Sequence, residues 1–216
     1  MTAWYAAGTG YHRFASDSIL ACMNDVIAAV GDLVIRRLRV GDYERIMTWR
    51  NSAHVREWWD PDEPPLTMAA LVVELDSQPD GDDTTTSCII EHSGEPVGFL
   101  QFYPWDAEEE YLATIAVTVP HGAWGLDIFI GKPGLEGTGV GSRTVRLLSD
   151  HLFAERGATA VALITEATNA RAQAAYHHAG MRVSGDRFQD TDTRGGQPVA
   201  SILMIRDRPD GTAGER

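Results

Sequence analysis

Lysine is nearly missing from this chain: Lys132 is the single example, and arginine supplies the other cations. By itself that bias carries no mechanism. Cysteine is also scarce. Cys22 and Cys88 have no metal-ligand spacing and cannot build a disulfide framework, which fits a reducing compartment. His54, His177 and His178 have no ligand partners in the sequence, so no metal is expected. No apolar run approaches the roughly 20 residues of a membrane span. Residues 1–16 lack the basic-then-apolar order of a secretory signal, and Asp17 and Asp25 interrupt the apolar residues of the next segment. A cytoplasmic location is the expectation. Positive charge is short overall, with 18 Lys and Arg against 31 Asp and Glu. Nucleic acids and anionic membranes need clustered cations, so neither is expected as a partner.

The chain is long enough, at 216 residues, for one domain with a sizeable core. Its 44% apolar and 23% charged residues exclude wholesale disorder. The net charge of −13 has two readings. It keeps a protein dispersed, or it concentrates a cationic substrate.

Residues 17–30 carry Ile19, Met23, Val26, Ile27 and Val30 at helical spacing, with Asp17 as N-cap, and predict a helix in an N-terminal extension over residues 1–31. The domain proper is expected over 32–208, with a frayed tail at 209–216. Within it, residues 33–40 read as a strand, and Tyr43, Ile46, Met47 and Arg50 mark a helix. A proline-rich loop comes next at 60–65, then a helix capped by Thr67 and a polar loop over 78–83. Strands are expected over 85–91 and 96–103, joined by the Ser93-Gly94 turn. Residues 112–119 have strand propensity in a place that suits a loop. Residues 124–130 and 158–164 are strands, a glycine-rich turn at 137–141 opens a helix, and 169–179 is a helix. Two strands close the chain around 181–188 and 198–206, with a loop over 191–197. Hairpins first and alternating strand and helix later indicate an α/β (α+β) chain with a mixed sheet, not a doubly wound parallel one.

Two segments point to chemistry. Gly137-Thr138-Gly139-Val140-Gly141 lies between a strand and a helix, where glycines admit an anion to free N–H groups and the helix dipole. Such a turn is also often no more than a turn. The second is the helix from Asn169 through Ala172 and Tyr176 to Gly180-Met181. On spacing alone, Tyr176 reads as a core tyrosine between alanines.

Together the segments resemble the two cofactor motifs of the GNAT N-acetyltransferases, the R/Q-x-x-G-x-G/A turn and the N-x-x-A-x-x-x-Y-x-x-x-G-F helix. The likeness extends to Trp49-Arg50-Asn51-Ser52-Ala53-His54-Val55-Arg56-Glu57-Trp58-Trp59, to Gly94-Glu95-Pro96-Val97-Gly98-Phe99 and to Gly125-Leu126-Asp127. These resemble the W-x-N-x-x-H-x-x-E-W-W, G-E-P-I-G-Y and G-I-D segments of the aminoglycoside 6′-N-acetyltransferases. Two departures stand out. Glu136 replaces the usual Arg or Gln and is expected to point away from the cofactor, with Arg143 or Lys132 lending charge. Met181 replaces Phe.

The resemblance implies a GNAT fold with a mostly antiparallel mixed sheet flanked by helices, acetyl-CoA as co-substrate, and a small polycationic acceptor. The enzyme would be a monomer or homodimer. Cofactor contacts would come from Ile128, Ile130, Thr138, Gly139, Val140, Gly141, Ser142, Arg143 and Asn169. Tyr176 would be the general acid for the leaving thiolate, and Asp127 would bind the acceptor amine or help take its proton. Trp58, Trp59, Asp60, Trp105, Asp106, Asp127 and Glu166 would hold the acceptor, with one or two of the 106–110 acids facing it. Polyamines, a siderophore hydroxylysine and a protein N-terminus remain alternative acceptors. So does a non-catalytic module that binds a cationic drug.

Overall fold

The computed structural model describes residues 25–76 and 85–210, apart from the side chain of Asp192. The expected loop at 78–83 and most of the expected extension and tail lie outside them. Among the described residues, eight strands form one sheet: β1 Val26–Val30, β2 Leu33–Arg37, β3 Thr86–His92, β4 Glu95–Pro104, β5 Trp124–Ile130, β6 Ala160–Glu166, β7 Arg182–Arg194 and β8 Gln197–Asp207. Their spatial order is β1-β2-β3-β4-β5-β6-β8-β7. Every neighbouring pair is antiparallel except β5 and β6. Six described α-helices accompany them: α1 Tyr43–Arg50, α2 Ala53–Arg56, α3 Met68–Asp76, α4 Glu109–Thr114, α5 Val140–Glu155 and α6 Ala170–His178.

The two-residue period of the strands divides the core between the faces of the sheet. Cys88, Ile90, Leu100, Phe102, Trp124 and Leu126 pack under α5 through Val145, Leu148 and Leu152. Ile89, Phe99 and Phe129 point the other way, onto Ile46 and Trp49 of α1 and Leu71 and Leu75 of α3. Farther along that second face, Trp105 and Leu112 pack on Ala160, Ala162, Leu203 and Ile205. Full burial of one such large side chain stabilises the fold by roughly 1.5–3 kcal/mol.

The expected helix over 17–30 is corrected where it is described. Val26–Val30 is a strand that pairs with β2 through a turn at Gly31, whose φ is 60°. A short apolar run fits either period, and here pairing with a neighbouring strand decides. The sheet therefore begins ahead of the expected boundary at residue 32. The loop expected at 191–197 is also mostly strand. Gly195 and Gly196, both with positive φ, make a two-residue hairpin turn, and Arg194 pairs with Gln197. Of the ambiguous run 112–119, residues 112–114 end α4 and the rest is irregular.

A buried ionic cluster fastens the β2 end. Arg36 holds Asp42 with two bonds of 2.7 and 2.9 Å and Glu91 at 2.6 Å. Burial works against the Asp42 carboxylate. The Arg36 guanidinium and the Arg39 N–H outweigh it and hold its pKa below the ordinary value.

Candidate active site

The site begins where β5 and β6 part. They pair only at Trp124↔Val161 and Gly125↔Ala162. Beyond Gly125 the sheet splays, and the β6-facing backbone edge of β5 lines a cavity of about 770 Å³. Unpaired N–H and C=O groups along a strand edge can receive another extended chain.

Two glycines shape this strand through close approaches. A Cβ on Gly125 would stand 2.4 Å from the Tyr103 ring, and one on Gly131 would stand 2.2 Å from the Trp49 ring. Both positions require glycine. The period of β5 sends Ile128 and Ile130 toward the α5 side and Asp127 and Phe129 toward the other. Asp127 is opposite Gln101 of β4, whose Nε2 donates to Oδ2 at 2.8 Å.

At one end of the cavity stands the N-terminus of α5. Its cap is Gly139 in the left-handed conformation, φ 87°, and no side chain caps the helix. The first N–H groups of a helix have no intrahelical acceptor, so those of Val140, Gly141 and Ser142 are left for a ligand. Gly137, Gly139 and Gly141 leave the turn open: a Cβ there would meet nothing nearer than 3.9 Å. The geometry fits a pyrophosphate-bearing group whose extended arm runs along β5. Asn169 lines the cavity, and its Oδ1 caps α6 by accepting the Ala172 N–H at 3.0 Å.

The other expectations for this end are met unevenly. Ile128, Ile130, Gly139, Gly141 and Ser142 line the cavity; Thr138, Val140 and Arg143 do not. The Val140 side chain is core, the Thr138 hydroxyl donates to Leu135 O, and Arg143 pairs with Asp32 at 2.6 Å. Lys132 pairs with Glu95, so neither expected cation lends its charge here. Arg171, in the first turn of α6, lines the cavity instead. Glu136 does not point away. It lines the cavity, folds back on its own N–H and that of Gly134, and lies 3.9 Å from His54 Nε2. Those N–H groups, with His54 and Arg171, hold its pKa below the ordinary value.

Tyr176 of α6 faces the cavity, and its hydroxyl makes no hydrogen bond among the described residues. Burial, then the Asp127 charge, pushes the phenol well above 10. It is a neutral, proton-bearing group at any ordinary pH.

The opposite end is acidic and aromatic. Six carboxylates line the cavity, from Asp60, Glu74, Asp127, Glu136, Glu166 and Asp190, against the guanidinium groups of Arg50 and Arg171. Trp58 and Trp59 form its aromatic wall, and Trp59 meets Phe129 edge-on at 5.0 Å. Arg50 binds both Asp60 (2.5 Å) and Glu74 (2.7 Å). Trp58, Trp59, Asp60, Asp127 and Glu166 thus converge as expected.

Trp105 and Asp106 do not converge with them. Trp105 is 2% exposed and its indole N–H donates to Ala162 O at 3.0 Å, so it is a core residue beneath the sheet. Asp106 turns to His121 (3.2 Å) outside the cavity, and none of Glu108, Glu109 and Glu110 lines it. The acid that does enter from this region of space is Asp190 of β7, which accepts a bond from the Tyr111 hydroxyl at 2.9 Å. His178, exposed on α6, also reaches the cavity lining. No three described His, Cys, Asp or Glu side chains group as metal ligands.

A splayed β5–β6 pair, an open glycine turn and a tyrosine hydroxyl without a hydrogen bond among the described residues meet at one cavity and define an acyl-transfer site of the GNAT class. The family model of the acetyltransferase (GNAT) domain matches residues 39–187, and the chain belongs to that family. It is an acetyl-CoA-dependent N-acetyltransferase. It is 27% identical over 175 residues to aminoglycoside N(6')-acetyltransferase type 1 of Klebsiella pneumoniae, covering 78% of this chain and 80% of the relative. The same figures hold for the Serratia marcescens protein of that name. Among solved structures, aminoglycoside acetyltransferase AAC(6')-Ib in complex with coenzyme A superposes with a TM-score of 0.65 at 23% identity, covering 82% and 95% of the two chains. Spermidine N-acetyltransferase from Vibrio cholerae, in complex with CoA and spermine, gives 0.62 at 17% identity, covering 82% and 96%.

Proposed function

We propose that this enzyme transfers the acetyl group of acetyl-CoA to the 6′-amine of aminoglycoside antibiotics and so confers resistance to them, acting in the cytoplasm. The observation that carries this reading is the acceptor end of the cavity, where an excess of carboxylates faces a tryptophan wall. Aminoglycosides present several ammonium groups and apolar sugar faces, and both are matched there. The curated relatives that carry the aminoglycoside 6′ name agree with it.

Acetyl-CoA supplies the activated acetyl group. The α5 amides and the glycine turn hold its pyrophosphate, with Arg171 offsetting Glu136. The Ile128 and Ile130 backbone on β5 guides the extended arm and offers an N–H to the carbonyl oxygen. Asp127, steadied by Gln101, draws the acceptor ammonium to the splay and takes its proton, directly or through water. The new C–N bond forms as the C–S bond breaks, Tyr176 gives its proton to the departing sulfur, and the second proton shed by the acylated nitrogen returns to the Tyr176 phenolate through water, leaving amide and free thiol. Trp58, Trp59, Asp60 and Glu166 hold the rest of the acceptor.

The test is thiol release from acetyl-CoA with kanamycin, tobramycin, spermidine and a lysine peptide in parallel. Release confined to compounds with a free 6′-amine is expected. Release with spermidine or the peptide alone would keep the acetyltransferase and overturn the acceptor.

A further inference from the structure

The β7–β8 hairpin brings a cation of the protein's own to the acceptor end. Arg194, the last residue of β7, donates to Glu166 Oε1 at 2.7 Å and to Glu57 O at 2.7 Å. Its guanidinium lies over the Trp58 ring, 5.2 Å from the centroid. Glu166 and Trp58 both line the cavity, and Arg194 reaches them from its rim. A carboxylate, a carbonyl and an indole face around one cation make up the set a bound ammonium group would use.

We infer that Arg194 is a placeholder cation: it occupies the Glu166–Trp58 ammonium subsite until a polycationic acceptor displaces it. This rests on the acceptor class proposed above. Two features of the hairpin support displacement. First, the tip is held without the Arg194 side chain. Asp62, in the proline-rich loop, accepts the N–H groups of Gly195 and Gly196 at 2.8 and 3.0 Å and the Thr193 hydroxyl at 3.1 Å. The guanidinium can therefore leave while the strand stays. Second, the two partners differ in exposure: 38% for the Arg194 side chain and 15% for that of Glu166. The arginine has solvent to swing into. The glutamate does not, and a largely enclosed carboxylate without a cation is unfavourable. An acceptor that brings its own ammonium exchanges one ion pair for another. An acceptor without a second ammonium cannot complete that exchange, so Arg194 selects for polycations.

The test compares wild type, R194A, E166Q and the double variant, with KM for kanamycin and spermidine measured side by side. R194A is expected to lower KM of the accepted polycation about three- to tenfold, the scale of one part-buried ion pair with a cation–π contact. KM for acetyl-CoA should not move. In the E166Q background the same substitution should change KM less than twofold, because the contested carboxylate is gone. R194Q, which loses the charge and keeps an amide donor, replaces R194A if the latter does not fold. A KM raised or unchanged by R194A overturns the inference, since Arg194 would then be aligning Glu166 and Trp58 for the substrate. Wild type that turns over neither amine overturns the proposed acceptor class itself, which these variants do not affect.

Discussion

Replacing Tyr176 with phenylalanine removes one hydroxyl and leaves the ring packed on the core. That hydroxyl has no hydrogen-bond partner among the described residues, so the change orphans nothing. Its effect on stability should stay within about 0.5 kcal/mol. The effect on rate should be far larger. A positioned general acid contributes roughly 10²–10⁴-fold, which at about 1.36 kcal/mol per decade is ~2.7–5.4 kcal/mol of barrier. A phenol pushed well above 10 is a weak acid, and that alone would oppose proton transfer. Burial acts on sulfur in the same sense, however: the enclosed Cys88 thiol of this protein is pushed up to about 12. A thiolate leaving beside Tyr176 is partly withdrawn from water too, so donor and acceptor shift in the same direction. The assay is thiol release at saturating acetyl-CoA and acceptor, with a melting curve alongside. A kcat reduced at least a hundredfold with unchanged Tm and acceptor KM is expected. The wild-type rate should also hold on the basic side to above pH 10, because Tyr176 keeps its proton there. A kcat within twofold of wild type would refute the acid role.

Two substitutions and one labelling measurement probe the frame around the site. Arg36→Met takes the principal cation from the buried Asp42, leaving it Arg45 at 3.3 Å, and should cost up to roughly 3–5 kcal/mol by chemical denaturation. The depressed Asp42 pKa adds a pH signature: its stabilisation is complete above the ordinary value of 3.8 and is lost as pH falls through the lower folded value. Trp105→Phe removes the donor to Ala162 O and should lower stability by about 1–3 kcal/mol, with acceptor KM unchanged; a raised KM would return Trp105 to the binding wall. Cys88 should resist alkylation in the folded enzyme at pH 8, read peptide by peptide in the mass spectrometer. Its raised pKa also means that the folded state loses stability as pH climbs from about 9 toward about 12, where only the unfolded chain ionises.

The sheet around the site is legible in the sequence because its signals are local. β5 is bounded by glycine and lysine-proline punctuation and lies at the expected residues. Asn169 and Thr67 announce helix starts, and each accepts an N–H of the adjoining turn. The failures share one cause: partners that are distant in sequence. Nothing in residues 26–30 indicates that they pair with β2. The segment leading to Arg194 is polar throughout, and only Gly195-Gly196 marks it as a hairpin. Trp105 stands beside a run of acids, and adjacency suggests a binding wall. Its indole finds a carbonyl 57 residues away instead. Arg171 is legible in principle, two residues after Asn169 in the first turn of a helix that the resemblance gives to the cofactor. The motif leaves that position variable and so does not single it out.

The acceptor end is acidic, yet its carboxylates are engaged within the protein. Asp60 and Glu74 share Arg50, Glu166 holds Arg194, Asp127 accepts from Gln101, and Asp190 accepts from Tyr111. A polycation therefore gains less from contact than a count of acids suggests, since each new ion pair competes with an existing one. What the charge of −13 supplies freely is attraction at a distance, which draws a cation to the cavity mouth before any pair is exchanged. The two effects respond differently to salt. Long-range attraction is screened once the Debye length falls from about 10 Å at 0.1 M toward about 3 Å at 1 M, whereas part-buried pairs are screened much less. Raising salt across that range should therefore increase KM for the polycation through slower encounter and leave kcat unchanged. An equal fall in kcat would mean that the exchanged pairs carry the salt dependence and that steering contributes little.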